Sequence, residues 1–225
     1  GAFHAALLVL LPGIERTTGI KVVVLSTSIG IGETYIPNRL RRGEIADVVI
    51  VADDVLRQCM EDGLVIRDRH VPLAHSSIAM AVRLGADRPD ISTLEALRRT
   101  MLNASSVGYS ASVSGQYIVS ELCKQLSITD EVVEKWLRIG NERIGAVIAR
   151  GEVEIGFEQM SELLPVPGIA HVTPLPAAAQ KISTFSAGIG TNTRDVSMAR
   201  EVIRYLHSAE ARAAIIESGL QPNSG

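Results

Sequence analysis

Residues 108–122 read GYSASVSGQYIVSEL. Ser110, Ser112 and Ser114, followed by Gly115 and Tyr117, crowd a turn between a short apolar run and an amphipathic stretch. Two chemistries suit such a turn: a serine nucleophile, or a cradle for an anion. A nucleophile elbow wants G-x-S-x-G, and Gly108-Tyr-Ser110-Ala-Ser112 lacks the last glycine. A triad also needs a histidine oriented by an acid. Of the five histidines, His4 and His207 fall in helical patterns, and His70 and His171 sit beside valine in connections. Only His75, next to Ser76 and Ser77, stands near a plausible mouth. The hydrolase reading therefore has little to support it.

The cradle needs less. The first turn of a helix offers unpaired N–H donors and a partial positive charge, and serine hydroxyls add neutral donors. Glycine lets a ligand approach the backbone, so a compact anion can be held without a cation. SVSGQY followed by IVSELCKQL has this form, and so does STSIGIGE followed by TYIPNRL. The plainer reading of each loop is an ordinary Ser-Gly turn with helix caps.

The rest of the chain must position these turns. Its 225 residues are 46% hydrophobic and 21% charged, enough for one large domain or two small lobes. A net charge of −3 without a basic run argues against a nucleic-acid partner. Cys59 and Cys123 form no metal-ligand spacing and read as two core thiols, with a disulfide between them left open. No apolar stretch reaches the roughly 18 residues of a membrane span, and no basic n-region or cleavage motif marks a leader. No cofactor or metal site is read.

Strand-like runs alternate with helical patterns. Candidate strands are 21–28, 46–53, 76–83, 105–110, 153–157 and 183–190. Candidate helices are 3–18, 34–43, 54–63, 93–103, 115–127, 130–138, 143–150, 159–164 and 195–217, the last restarting near Ser208. Asp90 and Ser92 are placed to cap the helix at 93. The alternation predicts a mostly parallel α/β fold, whose ligands sit beyond the carboxyl ends of strands.

RLRRGEIADVVIVADDVLRQCMEDGLV, VGYSASVSGQYIVSELCKQLSI, GAVIARGEVEIGFEQMSELL and TFSAGIG, in that order, resemble the type II periplasmic solute-binding proteins of the molybdate-binding family. VPLAHSSIAMAVR, ADRPDIST and ARGEVEIGFEQMSELLPVPGI look closer to a branch that includes bacterial aconitate isomerase. The resemblance implies two α/β lobes with a ligand cleft between them, about 1–79 plus 185–225 and about 80–184. Hinges would lie near Ser76–Met80 and Ser183–Ser186. It also implies a periplasmic location, a monomer and a possible ABC-transporter permease as partner.

By the same resemblance, a small anion would be held at Gly1 and Ala2, in the loop Ser28 to Thr34 (Gly30 and Gly32 included), at Ser114 with Gly115, at Arg143-Ile144 and at Gln159. Three departures from the molybdate pattern stand out: the longer loop with Glu33, Arg143 at an expected apolar position, and Gln159 at an expected tyrosine. An arginine suits a carboxylate better than it suits a site built from neutral donors. As a binder, the protein would close on a di- or tricarboxylate or an oxyanion, with Ser28, Ser112 and Ser114 as donors and Tyr117 on the wall. As an isomerase, it would move a proton across an allylic system of aconitate, with Glu33 as first candidate base and Glu158 as second. Both acids, and Asp53 and Asp54 after the second strand, are equally well explained as helix-terminus acids.

Overall fold

The computed structural model describes residues 1–25, 28, 32–67 and 69–223. The chain folds as a mixed α/β protein in two compact units, each with its own sheet. Among the described residues, unit 1 comprises 1–25, 28, 33–67, 69–76 and 183–223, and unit 2 comprises 32 and 77–182.

In unit 1, α1 (His4–Thr18) buries Ala6, Leu10, Gly13 and Ile14, one face at helical spacing, and ends at Gly19 in the left-handed region. Then come α2 (Ile36–Arg41), β1 (Val48–Ala52), α3 (Asp53–Glu61) and β2 (Val71–Ser76). The chain returns in β8 (Ser183–Ile189), α10 (Val196–Leu206), α11 (Arg212–Glu217) and the short β9 (Gln221–Pro222). The sheet order is β1-β8-β2-β9, every pair antiparallel. Side chains of β1 alternate between two cores. Val48 and Ile50 pack with α1 and α10 residues, while Val49 and Val51 pack with Leu40, Leu56 and Cys59. That is why VVIV shows no polar alternation: both faces are covered.

In unit 2, the elements are β3 (Ile78–Arg83), α4 (Leu94–Asn103), β4 (Val107–Ser110), α5 (Val113–Tyr117), α6 (Cys123–Gln125), α7 (Thr129–Val132), β5 (Trp136–Ile139), α8 (Ile144–Arg150), β6 (Ile155–Gln159), α9 (Met160–Leu163) and β7 (Ile169–Pro174). A π-helical turn, Ile118–Leu122, joins α5 to α6 without a break. The sheet order is β5-β4-β6-β3-β7. β4 runs parallel to β5 and β6, whereas β3 is antiparallel to β6 and β7. The core between sheet and helices holds Ile78, Met80, Leu97, Met101, Ile118, Leu122 and Phe157.

Several expectations need correcting. The sheets are not mostly parallel: among the described residues only the two β4 pairings are. β8, which carries the chain back into unit 1, lies between β1 and β2 and runs against both. The expected strand at 21–28 forms no ladder over 21–25, and Val23 is 77% exposed. Valine content alone does not make a strand without a neighbouring edge. The helix expected at 130–138 stops early, because Trp136–Ile139 pairs with β4. β2 and β7 went unrecognised. The cap of α4 is Thr93, whose hydroxyl accepts from the Ala96 N–H, while Asp90 accepts from both Ser92 groups. Cys59 and Cys123 are free, buried and in different units. Burial alone pushes the Cys123 thiol up to about 11.

Candidate functional site

Because β4, β5 and β6 are parallel, their carboxyl ends open at one edge of the unit 2 sheet. The turns after Ser110, Ile139 and Gln159 therefore meet, and the antiparallel β3 brings its first residue, Ile78, opposite Gln159. The Ala111 N–H donates to the Ile139 carbonyl at 2.9 Å, locking the first two turns together.

At this edge three serine hydroxyls and a carboxylate form one chain. Ser110 Oγ lies 2.5 Å from Ser112 Oγ, and Ser112 Oγ lies 2.9 Å from Ser114 Oγ. The Ser114 hydroxyl donates to Glu158 Oε1 at 2.6 Å. The same oxygen accepts from the Gln159 N–H at 3.0 Å. Ser110, Ser114, Glu158 and Gln159 are buried, and Ser112 is half-buried. A buried carboxylate is tolerated only with such donors.

Gly115 explains how the helix can start so close to the strand. A Cβ there would stand 1.8 Å from the Ser110 carbonyl oxygen. The glycine serves this backbone approach.

Arg143 stands at the N-cap of α8 and forms an ion pair with Glu162, in the first turn of α9. Desolvation lowers the arginine's affinity for its proton, and the field of Glu158 works the other way. One guanidinium thus sits with two carboxylates at an edge otherwise furnished with neutral donors. The arrangement can hold a carboxylate on the arginine while Glu158 accepts or returns a proton.

The remaining expected residues are placed as follows. Ile144 and Tyr117 are buried in unit 2, and the Tyr117 hydroxyl donates to the Ala179 carbonyl at 2.9 Å. In unit 1, the Gly1 carbonyl accepts from the His4 N–H, and Ala2 is fully buried. Ser28 Oγ accepts from the Ile36 N–H at 2.9 Å, at the start of α2. Gly32, Glu33 and Thr34 are exposed, and the Glu33 carbonyl accepts from Arg42. Gly30 lies outside the described residues. The structure brings together Ser112, Ser114, Gly115, Arg143, Glu158 and Gln159. Two further residues join them that are not among the expected ligand or catalytic residues: Glu162, paired with Arg143, and Ser110, the inner end of the hydroxyl chain.

Unit 1 carries a second polar cluster. Asp53, at the carboxyl end of β1, accepts from the fully buried Ser186 at 2.6 Å and from Arg57 at 2.7 Å. His70 Nε2 lies 3.7 Å away. Burial works against ionisation of Asp53, but these partners outweigh it and hold its carboxyl below the usual range. A depressed carboxylate stabilises the fold above the ordinary aspartate range, and that contribution disappears as pH falls through the folded-state value. The melting-temperature gap between the parent and Asp53→Asn is therefore expected to be full above the ordinary aspartate range, about pH 4–5, and to narrow as pH falls below it. A gap independent of pH would remove the ionised form from the account.

The sequence over residues 1–221 matches the family of bacterial extracellular solute-binding proteins, and the chain belongs to that family. The chain is 41% identical over 212 residues to an aconitate isomerase from Pseudomonas sp., covering 94% of this chain and 81% of the relative. The periplasmic molybdate-binding protein of Azotobacter vinelandii superposes with a TM-score of 0.75 at 16% identity, covering 99% of this chain and 96% of that one. The sulfate-binding protein of Mycobacterium tuberculosis H37Rv gives 0.75 at 15% identity, covering 97% and 83%. Both structural likenesses concern the fold. No helix among the described residues is long and apolar enough to cross a membrane.

Proposed function

We propose that this protein is an extracytoplasmic tricarboxylate-binding protein that interconverts trans- and cis-aconitate. The observation that carries the reading is Glu158: a buried carboxylate hydrogen-bonded to Ser114 at the edge where Arg143 stands. The 41% identity to an aconitate isomerase supports the same substrate class. Arg143 holds one substrate carboxylate. Glu158 removes a proton from the methylene carbon, the electron pair moves across the allylic system, and the same proton count returns at the far carbon. No atom is gained or lost overall. The guanidinium also stabilises the charge that develops on the carboxylate it holds.

A plain oxyanion binder of the molybdate or sulfate type is less well supported, because Glu158 would repel a dianion placed on these serines. Carboxylate binding without turnover is the remaining alternative, and it would call for a permease partner to give the binding a use. The experiment is proton NMR of the protein mixed with trans-aconitate. Growth of cis-aconitate signals is expected. Broadened lines without conversion would reduce the protein to a binder, and no response would overturn the substrate class. Arg143→Ala is expected to weaken aconitate binding about tenfold or more, since a charge-assisted hydrogen bond contributes about 1.5–3 kcal/mol. Unchanged affinity in calorimetry would remove Arg143 from the site.

A further inference from the structure

We propose that Ser114 and Ser112 form a hydroxyl relay that carries the proton of Glu158 to solvent, with Ser112 as its port. The inference rests on the reading of Glu158 as the base.

Glu158 is 6% exposed and Ser114 3%, so neither exchanges protons freely with water. Ser112 is half-buried, the most open member of the chain. Its hydroxyl is also used in an unusual way. Ser112 is the N-cap residue of α5, where a serine ordinarily accepts a bond from the helix backbone, yet its side chain makes no capping bond. It turns to Ser110 and Ser114. All three oxygen–oxygen separations, 2.5, 2.9 and 2.6 Å, are those of hydrogen bonds.

Ionised Glu158 fixes the direction of the chain. A carboxylate only accepts, so Ser114 donates to it, Ser112 donates to Ser114, and Ser110 donates to Ser112. Once Glu158 has taken a proton, the direction reverses. The carboxyl O–H donates to Ser114, the Ser114 proton passes to Ser112, and the Ser112 proton passes to a water molecule. One O–H bond breaks and one forms at each serine oxygen. Glu158 returns to its carboxylate and water carries the proton away. A solvent proton entering at Ser112 then runs the chain in the opposite sense, re-protonates Glu158 and is delivered to the far carbon, so one proton leaves and one returns and nothing is oxidised or reduced. Ser110 is a positioning residue: it is buried at the inner end and holds the Ser112 oxygen.

The test is conversion of trans-aconitate in D2O, reading deuterium at the newly formed C–H bond in the first turnovers. The parent is expected to place solvent deuterium in most product molecules. Ser112→Ala is expected to lower that share severalfold, and Ser112→Thr, which keeps the hydroxyl, to restore it. Equal deuterium in Ser112→Ala and the parent would overturn the relay. A second measurement does not depend on turnover: exchange of the Ser114 hydroxyl, read from the deuterium isotope shift on its Cβ in mixed H2O and D2O. Exchange about tenfold slower in Ser112→Ala, and not in Ser112→Thr, supports the relay even if no aconitate is converted. Unchanged exchange overturns it whatever the activity.

Discussion

Glu158→Gln is expected to slow aconitate conversion by about a hundredfold or more, the range in which a positioned general base acts. The substitution keeps the shape and an oxygen acceptor for the Ser114 hydroxyl and the Gln159 N–H, so the fold is expected to persist. Binding should move the other way. Removing a negative charge from the edge that also holds Ser112 and Arg143 favours any anion there, so affinity for trans-aconitate is expected to rise. A slower rate with tighter binding is a signature that a damaged fold does not produce. Glu33→Gln is the comparison, because Glu33 is exposed in a turn of unit 1. A rate lost in Glu33→Gln and kept in Glu158→Gln would exchange the two assignments. The readouts are initial rates by NMR and dissociation constants by calorimetry.

The serine turn was legible because its cues are local: an apolar run, three hydroxyls, a glycine and a helical pattern within fifteen residues. The same holds for α1, α3 and α4, whose apolar periodicity is written into consecutive residues, and for Gly19, which ends α1. What could not be read is what pairing decides. β5 follows a helical pattern directly and becomes a strand because β4 lies beside it. The segment 21–25 has better strand composition, yet no ladder forms there. β-propensity measures the fit to a neighbour, and the neighbour is not in the local sequence.

The site divides the same way. The family resemblance already sets Ser112, Ser114 and Arg143 around one ligand; what the local sequence does not show is that Glu158 joins Ser114. The Ser114–Glu158 bond joins residues 44 apart in the chain. It exists because β4 and β6 are parallel neighbours. Chemistry-bearing types are therefore legible in this chain where they cluster locally. Their roles depend on which strand ends share an edge.

Gly115→Ala is the substitution expected to cost most for its size. The new Cβ would lie 1.8 Å from the Ser110 carbonyl oxygen, 2.8 Å from its carbon and 3.0 Å from its nitrogen. All three are backbone atoms, so no rotamer relieves the clash. The start of α5 must move away from the end of β4, and such a shift breaks the run of hydroxyls between Ser110 and Glu158. Overpacking of this kind costs about 1–3 kcal/mol or more, a fall of about 3–10 °C in melting temperature for a chain of this length. Loss of aconitate conversion should accompany it, because Ser114 is the neighbour of the substituted residue. Gly140→Ala is the control for stability: its nearest neighbour, the Ala111 Cβ, is 3.8 Å from the added carbon, an ordinary contact. The two proteins are expected to separate clearly in thermal melts. If they melt together, the strand and helix ends can part without cost. The hydroxyl chain would then owe its geometry to something other than the close approach at Gly115.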